Sequence, residues 1–130
     1  MIKTPQKTSV YKKEPQHKEK NVFGFAPELI NFILKGHKVI TYKYGYKKDY
    51  LNVGDNVYIK NSKTGKVIDQ AYILKKENST FIKLPLNARG HESCENKEQQ
   101  RKVLSGYYAY LGRPIKDSDP FLIFEFQLIK

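Results

Sequence analysis

"FAPELINFILKGHKVITYKY", residues 25–44, changes its hydrophobic period half-way along. In the first half, Leu29, Ile30, Phe32, Ile33 and Leu34 make one broad apolar face at helical spacing. Pro27 suits a first helical turn, where the amide it lacks would have no partner. Glu28 favours the positive end of the helix dipole. Gly36 can adopt the left-handed conformation that stops a helix. From His37 onward the pattern alternates and is β-branched, which predicts a strand.

Downstream, "NVGDNVYIKN" (52–61) reads as a turn at Gly54-Asp55 followed by a strand. "SKTGK" (62–66) is a hairpin turn and "VIDQAYIL" (67–74) the returning strand. "STFIKLPL" (79–86) predicts another strand, stopped by Pro85, and "ARGHESCE" (88–95) a loop. "NKEQQRKVLSGYYAY" (96–110) predicts a second helix, with Asn96 as cap and Gln99 reaching back to it. Val103, Leu104, Tyr107 and Tyr108 share one face of that helix. "FLIFEFQLIK" (121–130) is nearly apolar throughout, as an interior strand covered on both faces would be. These elements predict an α+β fold: a small mixed β-barrel of about five to six strands with two flanking helices.

Residues 1–21 are polar, rich in lysine and interrupted by Pro5 and Pro15, and predict a disordered basic arm ahead of a single domain over 22–130. The sole cysteine, Cys94, excludes an intramolecular disulfide and a cysteine-based metal cage, so a reducing, cytoplasmic setting is expected. No apolar run is long enough to span a membrane, and the first residues lack the apolar core of a signal peptide, so no membrane partner is expected. The formal net charge is +11. The first 22 residues hold six lysines against two glutamates, so most of the excess falls in the domain and points to a polyanionic or phosphorylated partner.

Three groups of side chains are candidates for chemistry. Tyr42, Lys43, Tyr44, Tyr46, Lys47 and Lys48 interleave rings with cations. Tyrosines stack on bases for about 1–3 kcal/mol each, and lysines neutralise phosphates. On a straight strand Tyr42, Tyr44 and Tyr46 share one face and Lys43 the other, so stacking and core packing both stay open. Lys38 and Thr41 would face opposite ways on a strand and can meet only if the strand is kinked or Lys38 lies in the turn before it. His91, Glu92, Cys94 and Glu95 crowd one loop, where a histidine and two carboxylates suit acid–base work, and Arg89, His91 and Asn96 are expected to contact a nucleoside or nucleic-acid ligand. That set resembles no zinc spacing, and neither a metal nor a cofactor is expected.

Taken together, "LINFILKGHKVITYK", "LNVGDNVYI", "HESCENKEQQRKVLSGYYAYLG" and "FLIFEFQLI" resemble the ASCH domain of the PUA-like superfamily, from about Phe25 to Ile129. The resemblance implies a small barrel with helices beside it. A closer likeness is to bacterial ASCH amidohydrolases that deacetylate N4-acetylcytidine. These carry "G-R-K-T-I-T" and, later, "H-x-x-x-E-N", where this chain has "GHKVIT" and "HESCEN". That likeness implies Lys38 as proton acceptor, Thr41 as nucleophile and Glu95 as proton donor, with Asn96 also matching. Lys43 stands where the family usually has arginine, whose planar fork lysine does not copy. The implied partner is a nucleoside or RNA. The alternative from a different class is a PUA-like RNA-binding module without catalysis.

Overall fold

The computed structural model describes residues 21–129. The expected basic arm, apart from Asn21, lies outside the described residues. The elements run β1 (Val22–Phe25), α1 (Pro27–Leu34), β2 (Ile40–Tyr44), β3 (Asn56–Asn61), β4 (Val67–Thr80), a 3-10 turn (Phe81–Lys83), α2 (Lys97–Tyr107), a second 3-10 turn (Ala109–Leu111) and β5 (Pro120–Leu128). The five strands form one sheet in the order β1-β3-β4-β5-β2. β1 and β3 are parallel, and the other neighbours antiparallel. The sheet curls into a half-barrel with the two helices beside it. None of the described helices is long and apolar enough to cross a membrane.

The helix-to-strand reading holds over 27–34 and 40–44, with α1 starting on Pro27, Glu28 in its first turn and Gly36 after it at φ +78°, but residues 37–39, expected on the strand, form the approach to it. Leu29, Ile30 and Ile33 are buried, whereas Phe32 and Leu34 are largely exposed. One element is added and one expectation corrected. Residues 22–25 form a strand, which carries Phe23 and Phe25 into the core ahead of the helix. The predicted strand over 79–86 does not exist as a separate element. β4 runs unbroken to Thr80, and Phe81–Lys83 turns as a 3-10 helix that buries Phe81. A one-residue irregularity in the β4–β5 register, between Ile73 and Lys75, lets so long a strand bend with the sheet.

β5 explains its own composition. Leu122, Phe124, Phe126 and Leu128 face one core, inside the curl, with Phe23, Phe25 and α1. Phe121 and Ile123 face a second core with Tyr42, Phe81, Leu84, Leu104 and Ile115. Both faces are covered at its start, whereas Glu125 and Gln127 mark where the outer cover ends.

β2 and β1 are the two sheet edges, and their open hydrogen-bonding groups need partners. Tyr108, just past α2, serves β2: its hydroxyl donates to Tyr42 O at 3.0 Å and accepts from Tyr44 N at 3.3 Å. Tyr108→Phe keeps the ring against Tyr44 and Phe121 but leaves both edge groups unpaired. The expected loss is about 1–3 kcal/mol of unfolding free energy, read by urea denaturation.

Candidate functional site

A cavity of about 330 Å³ opens at the free edge of β2. Because the strand has no neighbour there, side chains from both of its faces reach the same hollow. Thr41 and Lys43 pair with Phe124 and Leu122, on the inner face, while Tyr42 and Tyr44 pair with Ile123 and Phe121, on the outer face. All four line the cavity, with Lys38, Lys47, Lys48, His91 and Glu92. α1 contributes Leu29, and α2 contributes Gln100, Val103, Leu104 and Tyr107.

The loop before α2 is fastened to β2 at one point. Gly90 O accepts from Val39 N at 2.8 Å and from Ile40 N at 3.1 Å. Gly90 has φ +88°, and a Cβ there would lie 2.5 Å from the Val39 side chain. Only glycine allows this approach. The next two residues are thereby delivered to the site. The His91 ring stacks on Tyr42, with centroids 3.9 Å apart and planes 13° from parallel. The Glu92 carboxylate meets Lys38 Nζ at 2.9 Å.

Lys38 lies in the turn before β2 and not on the strand, which is how it comes to share the cavity with Thr41. Both are buried, at 3% and 5% exposure. Lys38 Nζ also donates to Ile40 O at 2.8 Å. Burial draws the Lys38 pKa below the ordinary lysine value, and the Glu92 charge and hydrogen bond oppose this. Burial and the nearby Lys38 charge lower His91, so its ring is held toward the neutral form. Tyr42 is pushed up to about 12, by burial first and by Glu92 second.

Lys43 is different in kind. Its Nζ donates to Gly24 O, across the gap to β1, at 3.1 Å and sits 4.7 Å from the Phe25 ring centroid. Among the described residues no carboxylate pairs with it. Burial, then repulsion from Lys48 and Lys38, lowers its pKa to about 7.

Glu95, expected as the proton donor, does not reach the cavity. It is exposed, and its backbone N–H donates to Gln99 Oε1 at 2.6 Å. Asn96 is a structural cap, its Oδ1 accepting from Gln99 N at 2.8 Å. Helix capping fixes 95–96 at the start of α2, so the carboxylate at the site comes from Glu92, where Gly90 anchors the loop. Tyr46 and Arg89 do not line the cavity, and Tyr46 is exposed. Tyr42, Lys43, Tyr44, Lys47, Lys48 and His91 do line it. Gly24, Ser62 and Gln100 complete the wall without a sequence signal, whereas Tyr110 had one in the run "YYAY". No group of three or more His, Cys, Asp and Glu among the described residues is placed to hold a metal ion.

No family model matches this chain, and no curated protein does. Solved structures do. A protein of Enterococcus faecalis V583, assigned to family model DUF984, superposes with TM-score 0.64 at 15% identity, over 84% of this chain and 76% of its own. The ASCH domain from Lactobacillus crispatus JV V101 superposes with TM-score 0.58 at 16% identity, over 90% and 85%. The chain has the ASCH fold. A point mutant of ASCH from Zymomonas mobilis adds a third such likeness, with TM-score 0.54 at 17% identity, over 84% of this chain and 71% of its own. The curled sheet with two helices matches the expected architecture, and in this ASCH fold the cavity sits where the curl fails to close.

Two measurements check the site. Gly90→Ala combines left-handed strain with a clash at Val39, so a loss of at least about 1–2 kcal/mol is expected in denaturant melts. Lys43 is charged in the unfolded chain up to about pH 10.4 but sheds its proton near 7 when folded. Its burial therefore weighs against folding most at and below pH 7, and that burden lifts as pH rises toward 10. Thermal melts should show wild type gaining on Lys43→Met between pH 7 and 10. A pH-independent difference between the two would contradict this.

Proposed function

We propose that this protein hydrolyses the exocyclic amide of an N4-acetylated cytosine. The observation that carries the reading is Lys38 Nζ, buried and 2.9 Å from Glu92, inside the cavity that Thr41 also lines. The motif "GHKVIT", which resembles that of the N4-acetylcytidine amidohydrolases, supplies the first two groups. Glu92 takes the place that the sequence resemblance gave to Glu95.

An amide is a poor electrophile, so a hydroxyl that attacks it needs a base. Lys38, drawn toward its neutral form by burial, serves as that base. Thr41 Oγ1 bonds to the acetyl carbon as its proton passes to Lys38 Nζ, and the carbonyl electron pair moves onto oxygen. Collapse restores the carbonyl and breaks the bond to N4. The departing N4 takes the proton from Lys38, with Glu92 as relay. Water then cleaves the acetyl–threonine ester, releasing acetate and restoring Thr41. The apolar walls and stacked His91 and Tyr42 rings suit a planar base, and about 330 Å³ suits a ligand of nucleoside size.

Purified protein incubated with N4-acetylcytidine should release cytidine, measured by liquid chromatography. Thr41→Ala and Lys38→Ala should abolish turnover. Glu92→Gln should lower kcat by about 10²–10⁴-fold, while Glu95→Gln stays within about twofold of wild type. Wild-type turnover no higher than that of Lys38→Ala would refute the reading and favour the non-catalytic RNA-binding alternative.

A further inference from the structure

The amide chemistry uses Lys38, Thr41 and Glu92 and leaves the other cations of the cavity unexplained. Four lysines line the hollow, Lys38, Lys43, Lys47 and Lys48, against one carboxylate, Glu92. Glu92 is taken by Lys38. Lys43, Lys47 and Lys48 form no ion pair with any described residue. Nearby like charges raise the electrostatic cost of keeping each ammonium ionised. Lys48 is lowered by burial and by Lys60 and Lys47, as Lys43 is by burial, Lys48 and Lys38. An incoming anion relieves that repulsion, and charge-assisted hydrogen bonds to phosphate are strong. The same cavity is lined by two exposed tyrosine rings, Tyr107 at 44% and Tyr110 at 73% exposure. Exposed rings next to unpaired cations are what single-strand binders present to a base and its phosphate.

We infer that Lys43, Lys47 and Lys48 form a phosphate subsite, so that the ligand is a nucleotide and not a free nucleoside. Tyr110, at the rim, takes the neighbouring base when that nucleotide belongs to a strand. The inference rests on the hydrolase reading only for the cytosine ring in the cavity.

Binding to unreactive products tests it separately from catalysis. Calorimetry with full-length protein compares cytidine, cytidine 5′- and 3′-monophosphates, and the trinucleotide UpCpU. At least one monophosphate should bind about tenfold or more tighter than cytidine, roughly 1.4 kcal/mol. That preference should shrink as salt rises and collapse in Lys47→Ala and Lys48→Ala. Lys83→Ala, in the 3-10 turn after β4 and outside the cavity lining, should leave it intact. A trinucleotide gain that Tyr110→Ala removes marks a strand as the natural source, and its absence marks a mononucleotide. Equal affinity for cytidine and both monophosphates overturns the inference, as does no monophosphate binding at millimolar concentration. Turnover of N4-acetylcytidine without any phosphate preference sinks the subsite and spares the hydrolase. Phosphate preference without turnover does the reverse.

Discussion

Lys43 reaches from one edge of the sheet to the other, and the hydrogen bond from its ammonium to Gly24 O is the bridge between β2 and β1. Five strands curl far enough to bring these edges within one side chain of each other, but they do not join. A closed barrel would satisfy both edges with backbone and leave no opening. Here the unpaired groups are met from elsewhere: the Tyr108 hydroxyl on β2, Lys43 on β1, and the Gly90 carbonyl at the start of β2. The cavity is the space those groups surround.

The same opening gives two neighbouring lysines different characters. Lys38 has Glu92 at 2.9 Å and a backbone carbonyl at 2.8 Å, which offset part of the cost that burial sets on its charge. Lys43 has a carbonyl and two phenylalanine rings, which compensate an ammonium far less well than a carboxylate does. The proposed hydrolysis uses the first amine to exchange a proton, and the proposed phosphate subsite uses the second to receive charge from outside. The Lys38 pair depends on how a single loop lands beside β2, which depends on a glycine, whereas Lys43 depends on the approach of β1.

Much of this was legible in the chain. The period change after Gly36 set a helix directly against a strand, because helical and alternating patterns cannot occupy one geometry. Asn96 was readable as a cap from its place before a run of helix formers. The apolar density of residues 121–124 marked a strand covered on both sides at its start. The short strand at Val22–Phe25 was not legible, since so few residues carry too little pattern and its partner is distant in the chain. The extension of β4 to Thr80 was hidden for a similar reason: its later residues are polar, and pairing with β5 keeps them extended.

By itself the sequence determined the class of fold, the excess of positive charge, and the candidacy of Lys38, Thr41 and the tyrosine–lysine run. These follow from local periodicity and side-chain chemistry, which are properties of neighbouring residues. Only the tertiary structure decided which carboxylate faces Lys38, because Glu92 and Glu95 stand in one loop with similar surroundings in sequence. Gly90 docking and the α2 cap separate them in space. Only the fold could decide that Tyr42 and Lys43, on opposite faces of a strand, look into one cavity, since that requires β2 to be an edge, and edges are set by distant strand pairing.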